Sequence, residues 1–474
     1  MGKCIHMREL SNRLILLIAL LCVFFTGCTT AADIDTDDEK SEKKYAYVYD
    51  ELIAQSTVSS RAAFGDDGYY FLANGILYYY DMSDADAVPV CSKAECSHKD
   101  EECDAYIYDN AEYDTYDLTN VNINCLGNMI WYEDGSLYMI KRDKTGDYLM
   151  QYDSTFKNER TVCTLAEKGT TVGGPSATTE DTAVLYNGYL YYFTVCPVYA
   201  NELVDENYYI TFYCNRVKVS QGAKPEILGQ FYAAMDTSLF SKNSGCKVSV
   251  NNDKVLFARG TETRYLYKNN TVQYKLYAYD CQSSQYSKIL DMESNDKENF
   301  FGEQTGKAAT IKNNICIDED GNTYLVTGAA NILKVSEDGT VKVIYSNGNG
   351  KNITSLFYNE KHIFFYESQG VKGRLTAIDK EGKVEAKFEI CLSDKFKGKV
   401  ENFANNAISI YGIDKQNIVL KLNLDYILHM ENDNTINKGV NKGINIDTYG
   451  VVILDKENYF KGEVTPDMIF LYNE

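Results

Sequence analysis

The stretch YNGYLYYF, Tyr186 to Phe193, sets a two-residue turn in front of a continuous run of aromatic and apolar residues. Asn-Gly tolerates the positive φ that a tight hairpin needs, and the tyrosines and phenylalanine that follow favour strand over helix. The same unit recurs as ANGILYYYD (Ala73 to Asp81), YEDGSLYMI (Tyr132 to Ile140) and NNDKVLFA (Asn251 to Ala258). It returns as DEDGNTYLV (Asp318 to Val326), NEKHIFFY (Asn359 to Tyr366) and DKQNIVLKL (Asp414 to Leu422). The seven turns lie about 57 residues apart on average, near the 40–50 residue period of propeller blades with longer loops.

A second hairpin fits between some of these turns. ILKVSEDGTVKVI (Ile332 to Ile344) and LTAIDKEGKVEAKF (Leu375 to Phe388) look like the same outer hairpin in two successive blades. The C-terminal GVVILDKENYFKGE, Gly450 to Glu463, reads either as the last blade's outer pair or as a strand closing the ring beside the N-terminal segment. No stretch carries an apolar stripe at helical spacing for more than two turns. The composition agrees: 40 tyrosines, 20 phenylalanines and 32 glycines stand against five prolines. A four-stranded sheet hides neither face alone, whereas radial stacking buries both and leaves only short edges. The expectation is an all-β β-propeller over residues 58–474, with seven four-stranded blades and six or eight as neighbouring counts. A pair of β-sandwiches explains the strands but not the repeat.

The N-terminus speaks to compartment. A basic region from Lys3 to Arg13 precedes LILLIALLCVFF, Leu14 to Phe25, and then Thr26-Gly27-Cys28. Twelve apolar residues are too few for a membrane-spanning helix, which needs about 20, and suit a signal-peptide core. The small residues before Cys28 match a bacterial lipobox, where the cysteine is diacylated and the chain is cut ahead of it. Residues 1–27 are read as a lipoprotein signal peptide. Cleavage removes three basic residues and one acidic one, taking the formal charge from −21 to −23. Such a surface disfavours nucleic acid and is repelled by anionic lipid headgroups. TTAADIDTDDEKSEKK, Thr29 to Lys44, is polar and without apolar period, so residues 28–57 are read as an acylated disordered tether.

CSKAECSHKDEEC, Cys91 to Cys103, is the one run with the look of chemistry. Cys91, Cys96, His98 and Cys103 supply three thiolates and an imidazole, the set that closes a tetrahedral structural zinc site. A disulfide is the competing reading, since an exported protein permits one. It leaves a third cysteine over, or paired with a distant one such as Cys125, and gives His98 no role. Most of the other mature cysteines, such as those in TFYCNRV and NNICID, fall in apolar strands and read as small buried hydrophobes.

GILYYYDMSDADAVPVCSKAECSHKDEECDAYI, Gly75 to Ile107, joins an aromatic strand to that cysteine–histidine run. In this it resembles uncharacterised clostridial-type cell-envelope lipoproteins with a tyrosine-rich, receptor-like propeller of unknown function. The receptor-type YWTD motif is absent. The resemblance implies fold and compartment, and it brings no activity with it.

Other motifs read as structure. Asp318 to Asn322 resembles the start of a calcium loop but lacks the distal glutamate and flanking helices, so it reads as a hairpin turn. His362 and His429 lie in strand-like apolar contexts. Neither a G-x-S-x-G elbow, a phosphate-binding glycine loop nor an H-E-x-x-H occurs. ETRYLYKNNTVQYKLYAYD, Glu262 to Asp280, reads as an exposed basic–aromatic strip. The favoured function is a non-catalytic, lipid-anchored extracytoplasmic binding or scaffold module for glycan, peptide or envelope protein. A propeller-type polysaccharide hydrolase or lyase is the alternative.

Overall fold

The unbroken apolar runs are strands buried on both faces. In the computed structural model, strand Tyr189–Val195 sends Leu190 and Tyr192 into one apolar cluster and Tyr191, Phe193 and Val195 into another. Strand Lys254–Thr263 divides in the same way, Leu256 and Ala258 to one side, Val255 and Phe257 to the other. Side chains alternate across a strand, so only a sheet sandwiched between two others wants every position apolar.

The structure describes residues 62–473 apart from connecting segments, the longest being 108–128, 295–314, 392–407 and 424–447. The leader 1–27, Cys28 and the tether 28–57 lie outside the described residues, as do Cys125, Cys196 and His429.

Seven antiparallel sheets, each of four consecutive strands in chain order, make a seven-bladed β-propeller. Blade 1 covers residues 62–89, blade 2 130–167, blade 3 183–234 and blade 4 245–294; blade 5 covers 315–346, blade 6 352–388 and blade 7 408–473. A short additional strand, Thr171–Val172, lies along Thr194 and Val195 of blade 3. One apolar cluster fills each gap between consecutive blades, including the gap between the last and the first. Each fully buried leucine or phenylalanine in them contributes about 1.5–3 kcal/mol, so the repeat is held by its interfaces.

Blades 1 and 7 each draw all four strands from one end of the chain, so side chains close the ring. Tyr69 and Phe71 pack against Tyr411, Val419 and Val451. The Tyr69 hydroxyl donates to Asp414 Oδ2 at 2.7 Å and accepts from Asn417 Nδ2 at 2.7 Å.

The hairpins joining first and second strands put Asp134-Gly135, Asn187-Gly188 and Asn252-Asp253 at positive φ, the geometry whose twist matches the strands. They also tie blade to blade. Gly188 donates its N–H to Glu133 Oε1 (3.1 Å), and Asn251 and Asn359 donate side-chain N–H to the carbonyls of Ile317 (3.2 Å) and Ile413 (3.4 Å) in the next blade.

Six of the seven turns quoted above are these inner hairpins. The exception is the first in chain order: ANGILYYYD joins the second and third strands of blade 1, whose inner turn is the connection from Gly65 to Gly68. Asn-Gly suits either connection, so turn chemistry alone does not fix phase. The count holds because each blade contributed one turn. The hairpins around Gly339 and Gly382 are the outer pairs of blades 5 and 6, as the sequence repeat requires. GVVILDKENYFKGE holds the third strand of blade 7 (Thr448–Asp455) and a helix, Lys456–Phe460, ahead of the outermost strand Asp467–Asn473. Asp455 caps that helix by accepting the Asn458 N–H, and buried Tyr459 donates its hydroxyl to the Leu375 carbonyl of blade 6 at 2.7 Å.

Candidate metal centre

The fourth strand of blade 1, Asp86–Pro89, is short, and the chain fills the space it leaves. After Pro89 it turns out through the cysteine–histidine run and returns beside the third strand, Ile76–Asp81. Val90 donates to the Leu77 carbonyl (2.9 Å), Leu77 to the Ala105 carbonyl (2.9 Å) and Ile107 to the Gly75 carbonyl (2.8 Å). The described parts of this run, residues 91–98 and 102–104, are thus stapled to one blade through the segments that flank them. Cys103, Ala105 and Ile107 are buried in the cluster between blades 1 and 2, with half-buried Cys91 and Cys96 packed against it. Polar contacts fasten the outer part. Ser92 Oγ donates to Asp104 Oδ2 (2.8 Å), and Lys93 pairs with Asp104 (2.9 Å) and donates to the Glu102 carbonyl.

The structure brings all four predicted residues together. One ligand atom from each of Cys91, Cys96, His98 and Cys103 lies within 4.8 Å of the others. His98 Nδ1 is 3.4 Å from Cys103 Sγ, and a positive φ of 54° at His98 turns its ring inward. Tetrahedral zinc, with bonds near 2.3 Å to sulfur and 2.0 Å to nitrogen, spaces its ligand atoms by roughly 3.5–3.8 Å. The quartet is within about an ångström of that shell. His98, which disulfide pairing leaves idle, is part of it, and Cys91, Cys96 and Cys103 carry free thiols.

The electrostatics fit a cation. Burial raises the Cys91 thiol, but the N–H groups of Lys93 and Asp104, with the thiols of Cys103 and Cys96, outweigh that and bring it below its usual value. Burial pushes Cys103 up to about 12, relieved by the Ala105 N–H and reinforced by the thiols of Cys96 and Cys91. One thiol of the set favours the thiolate because N–H groups and thiols hydrogen-bond to it, while its neighbour resists it chiefly because it is buried. A bound dication removes that conflict.

The remaining candidates resolve as structure. His362 is half-buried against Phe460 and Phe364, and burial, with Lys361 nearby, lowers its pKa. The Asp318 carboxylate accepts four hydrogen bonds, from the N–H groups of Asp320 and Asn322, from Asn322 Nδ2 and from the Tyr324 hydroxyl. Lys380 of blade 6 stands beside Glu319 and Asp320, so the acidic turn is an inter-blade ion-pair site. Cys163, Cys214, Cys246 and Cys316 are buried, as their strand contexts predict, whereas Cys281 is half-buried in a turn and Cys391 is exposed outside any strand. The exposed strip expected over Glu262 to Asp280 is overturned in its described part. Tyr274, Tyr277 and Tyr279 belong to the third strand of blade 4 and are buried, because that strand is sandwiched on both faces.

Sequence reading missed two features. Buried Arg142 donates to both carboxylate oxygens of Asp147 (2.6 and 2.9 Å) and to the Val172 carbonyl (3.0 Å), while Val172 N–H donates to Asp147 Oδ2 (2.6 Å). The pair pins the additional strand of blade 3 to a hairpin of blade 2. The second is a groove of about 510 Å³ beside the cysteine–histidine loop, assembled from five separate stretches.

The fold and the cluster define the class: a seven-bladed propeller with a Cys3His quartet on its first blade. No family model matches the chain, and no curated protein matches it. Solved structures similar in fold include a prolyl endopeptidase (7% identity, TM-score 0.41, 90% of this chain and 52% of that one). Another is TolB from Acinetobacter baumannii (10% identity, TM-score 0.28, 69% and 61%). A third is a quinoprotein alcohol dehydrogenase-like protein from Bacteroides thetaiotaomicron (12% identity, TM-score 0.30, 68% and 75%). The chain spans about half the length of the prolyl endopeptidase it matches.

Proposed function

We propose that this protein is a lipid-anchored, extracytoplasmic propeller of the bacterial cell envelope that acts as a non-catalytic binding module, with structural zinc held by Cys91, Cys96, His98 and Cys103. Acylation at Cys28 fixes it to the membrane, and the 28–57 tether carries the propeller clear of it. Its ligand is envelope glycan, peptide or protein. The observation that carries this reading is the quartet itself, four protein donors within 4.8 Å on a loop stapled to a rigid blade. Four protein ligands fill tetrahedral zinc and leave no position for a reacting water, so the metal fastens rather than catalyses.

The competing hydrolase or lyase calls for a carboxyl held protonated near a second carboxylate. Among the described residues, each carboxyl whose pKa moves is lowered, as at Asp104, Asp143, Asp291 and Glu319. The test combines address and binding. Wild type is expected in the membrane fraction with residues 1–27 removed and a diacylglyceryl mass on Cys28, and Cys28→Ser as an unprocessed, unacylated precursor; purified protein is expected to co-sediment with cell-envelope material without changing its glycan or peptide profile. Release of soluble sugar fragments from that material would establish the enzyme reading instead.

A further inference from the structure

We infer that the groove between blades 1 and 2 binds the pyranose rings of a neutral glycan, and that the cysteine–histidine loop forms one of its walls. The inference rests on the binding-module reading and names its site and ligand class. The groove holds about 510 Å³, within the size range of small-ligand sites. Half-buried Tyr79 and Tyr132 line its floor and both pack on buried Tyr70, whose ring lies 4.7 Å from the first and 5.7 Å, nearly parallel, from the second. Buried Tyr70 is locked by its hydroxyl, which donates to the Ser154 carbonyl at 2.9 Å, so the floor is fixed before a ligand arrives. Flat tyrosine faces stack on the apolar faces of sugar rings, and rigid rings lose little entropy on binding. The rim supplies one carboxylate (Asp67), one ammonium (Lys157) and the hydroxyls of Ser92 and Thr155, a set matched to sugar hydroxyls.

The wall argues against an extended peptide. A peptide that adds to a sheet edge needs outward N–H groups. Pro89 has none, and the N–H groups of Val90 and Cys91 are taken by the carbonyls of Leu77 and Pro89. The chain's net charge of −21 argues against a polyanionic glycan. Cys91 lines the groove and is a member of the metal quartet, so closing the quartet sets the wall.

The test titrates the full acylated protein in detergent with cellohexaose, chitohexaose and xylohexaose, with an oligogalacturonate as the anionic control, by calorimetry. At least one neutral hexasaccharide should bind saturably and the oligogalacturonate should not. Val88→Arg should weaken binding at least tenfold, because Val88 is 53% exposed in the groove and a long side chain there fills it without entering the core. Lys157→Ala, at the exposed rim, should weaken it severalfold, and chelation should weaken it in wild type. Thermal melts confirm that both variants fold. Binding unchanged by both variants, or no neutral saccharide bound, overturns the inference. So does capture of a random peptide mixture that Val88→Arg abolishes. If envelope co-sedimentation is the same for Val88→Arg and wild type, the binding module stands and this site falls.

Discussion

At His98 the backbone adopts a left-handed conformation that costs roughly 1–2 kcal/mol for a residue with a Cβ. Such strain persists where the surroundings over-determine it, and here it turns an imidazole onto three thiols. If the four residues share one ion, Cys96→Ala and His98→Ala should each release the metal and lower the melting temperature, and the double variant should lose little more than either single. Additive losses in a melting-temperature cycle would mean that the residues act separately. The Arg142–Asp147 pair offers a second residue-scale test, because both side chains are almost wholly buried. Removing one partner strands the other, so Arg142→Met should destabilise by about 3–5 kcal/mol in urea denaturation. Arg142→Met with Asp147→Leu should recover much of that, and a double variant as unstable as the single would contradict the account.

At the scale of the hairpin, glycine marks where backbone geometry leaves no choice. Gly382 has φ 89°, and a Cβ there would sit 1.8 Å from the Ile344 carbonyl oxygen of the neighbouring blade. Gly135 has φ 74° with nothing within 4 Å. Gly135→Ala should therefore cost only the left-handed penalty, about 1–2 kcal/mol, and Gly382→Ala distinctly more, since it also separates blades 5 and 6. Equal losses in thermal unfolding would refute that reading of the interface. Turns of this kind made the fold legible in the sequence, because Asn-Gly and Asp-Gly announce hairpins locally. Their phase was not legible, as blade 1 demonstrates. The metal quartet was visible because its members lie within thirteen residues of chain, whereas the groove joins Tyr70, Tyr79, Cys91, Tyr132 and Lys157 and exists only once two blades are packed. The burial of Tyr274, Tyr277 and Tyr279 escaped a local reading for the same reason: a basic–aromatic strand looks exposed until sheets cover both its faces.

For the molecule as a whole, stability is a ring of seven interfaces, and the one between blades 7 and 1 is the only one whose partners lie at opposite ends of the described chain. Tyr69→Phe removes the hydroxyl that joins Asp414 and Asn417 while keeping the ring packed. It should cost about 1–3 kcal/mol, as expected when a part-buried hydrogen-bonded pair loses one partner, and hydrogen exchange should rise first in the outer strands of blades 1 and 7. Uniform exchange across all seven blades would show that the ring does not open at that seam. As proposed above, the protein is a processed, membrane-anchored propeller with one metal ion in its first blade, and native mass spectrometry of the intact protein from membranes reads both parts in one spectrum. The predicted species begins at Cys28, carries a diacylglyceryl mass and holds one zinc ion that chelation removes as Cys91, Cys96 and Cys103 become reactive to a thiol reagent. An uncleaved chain, or a metal-free one lighter by two hydrogens through a disulfide within the 91–103 loop, would contradict it.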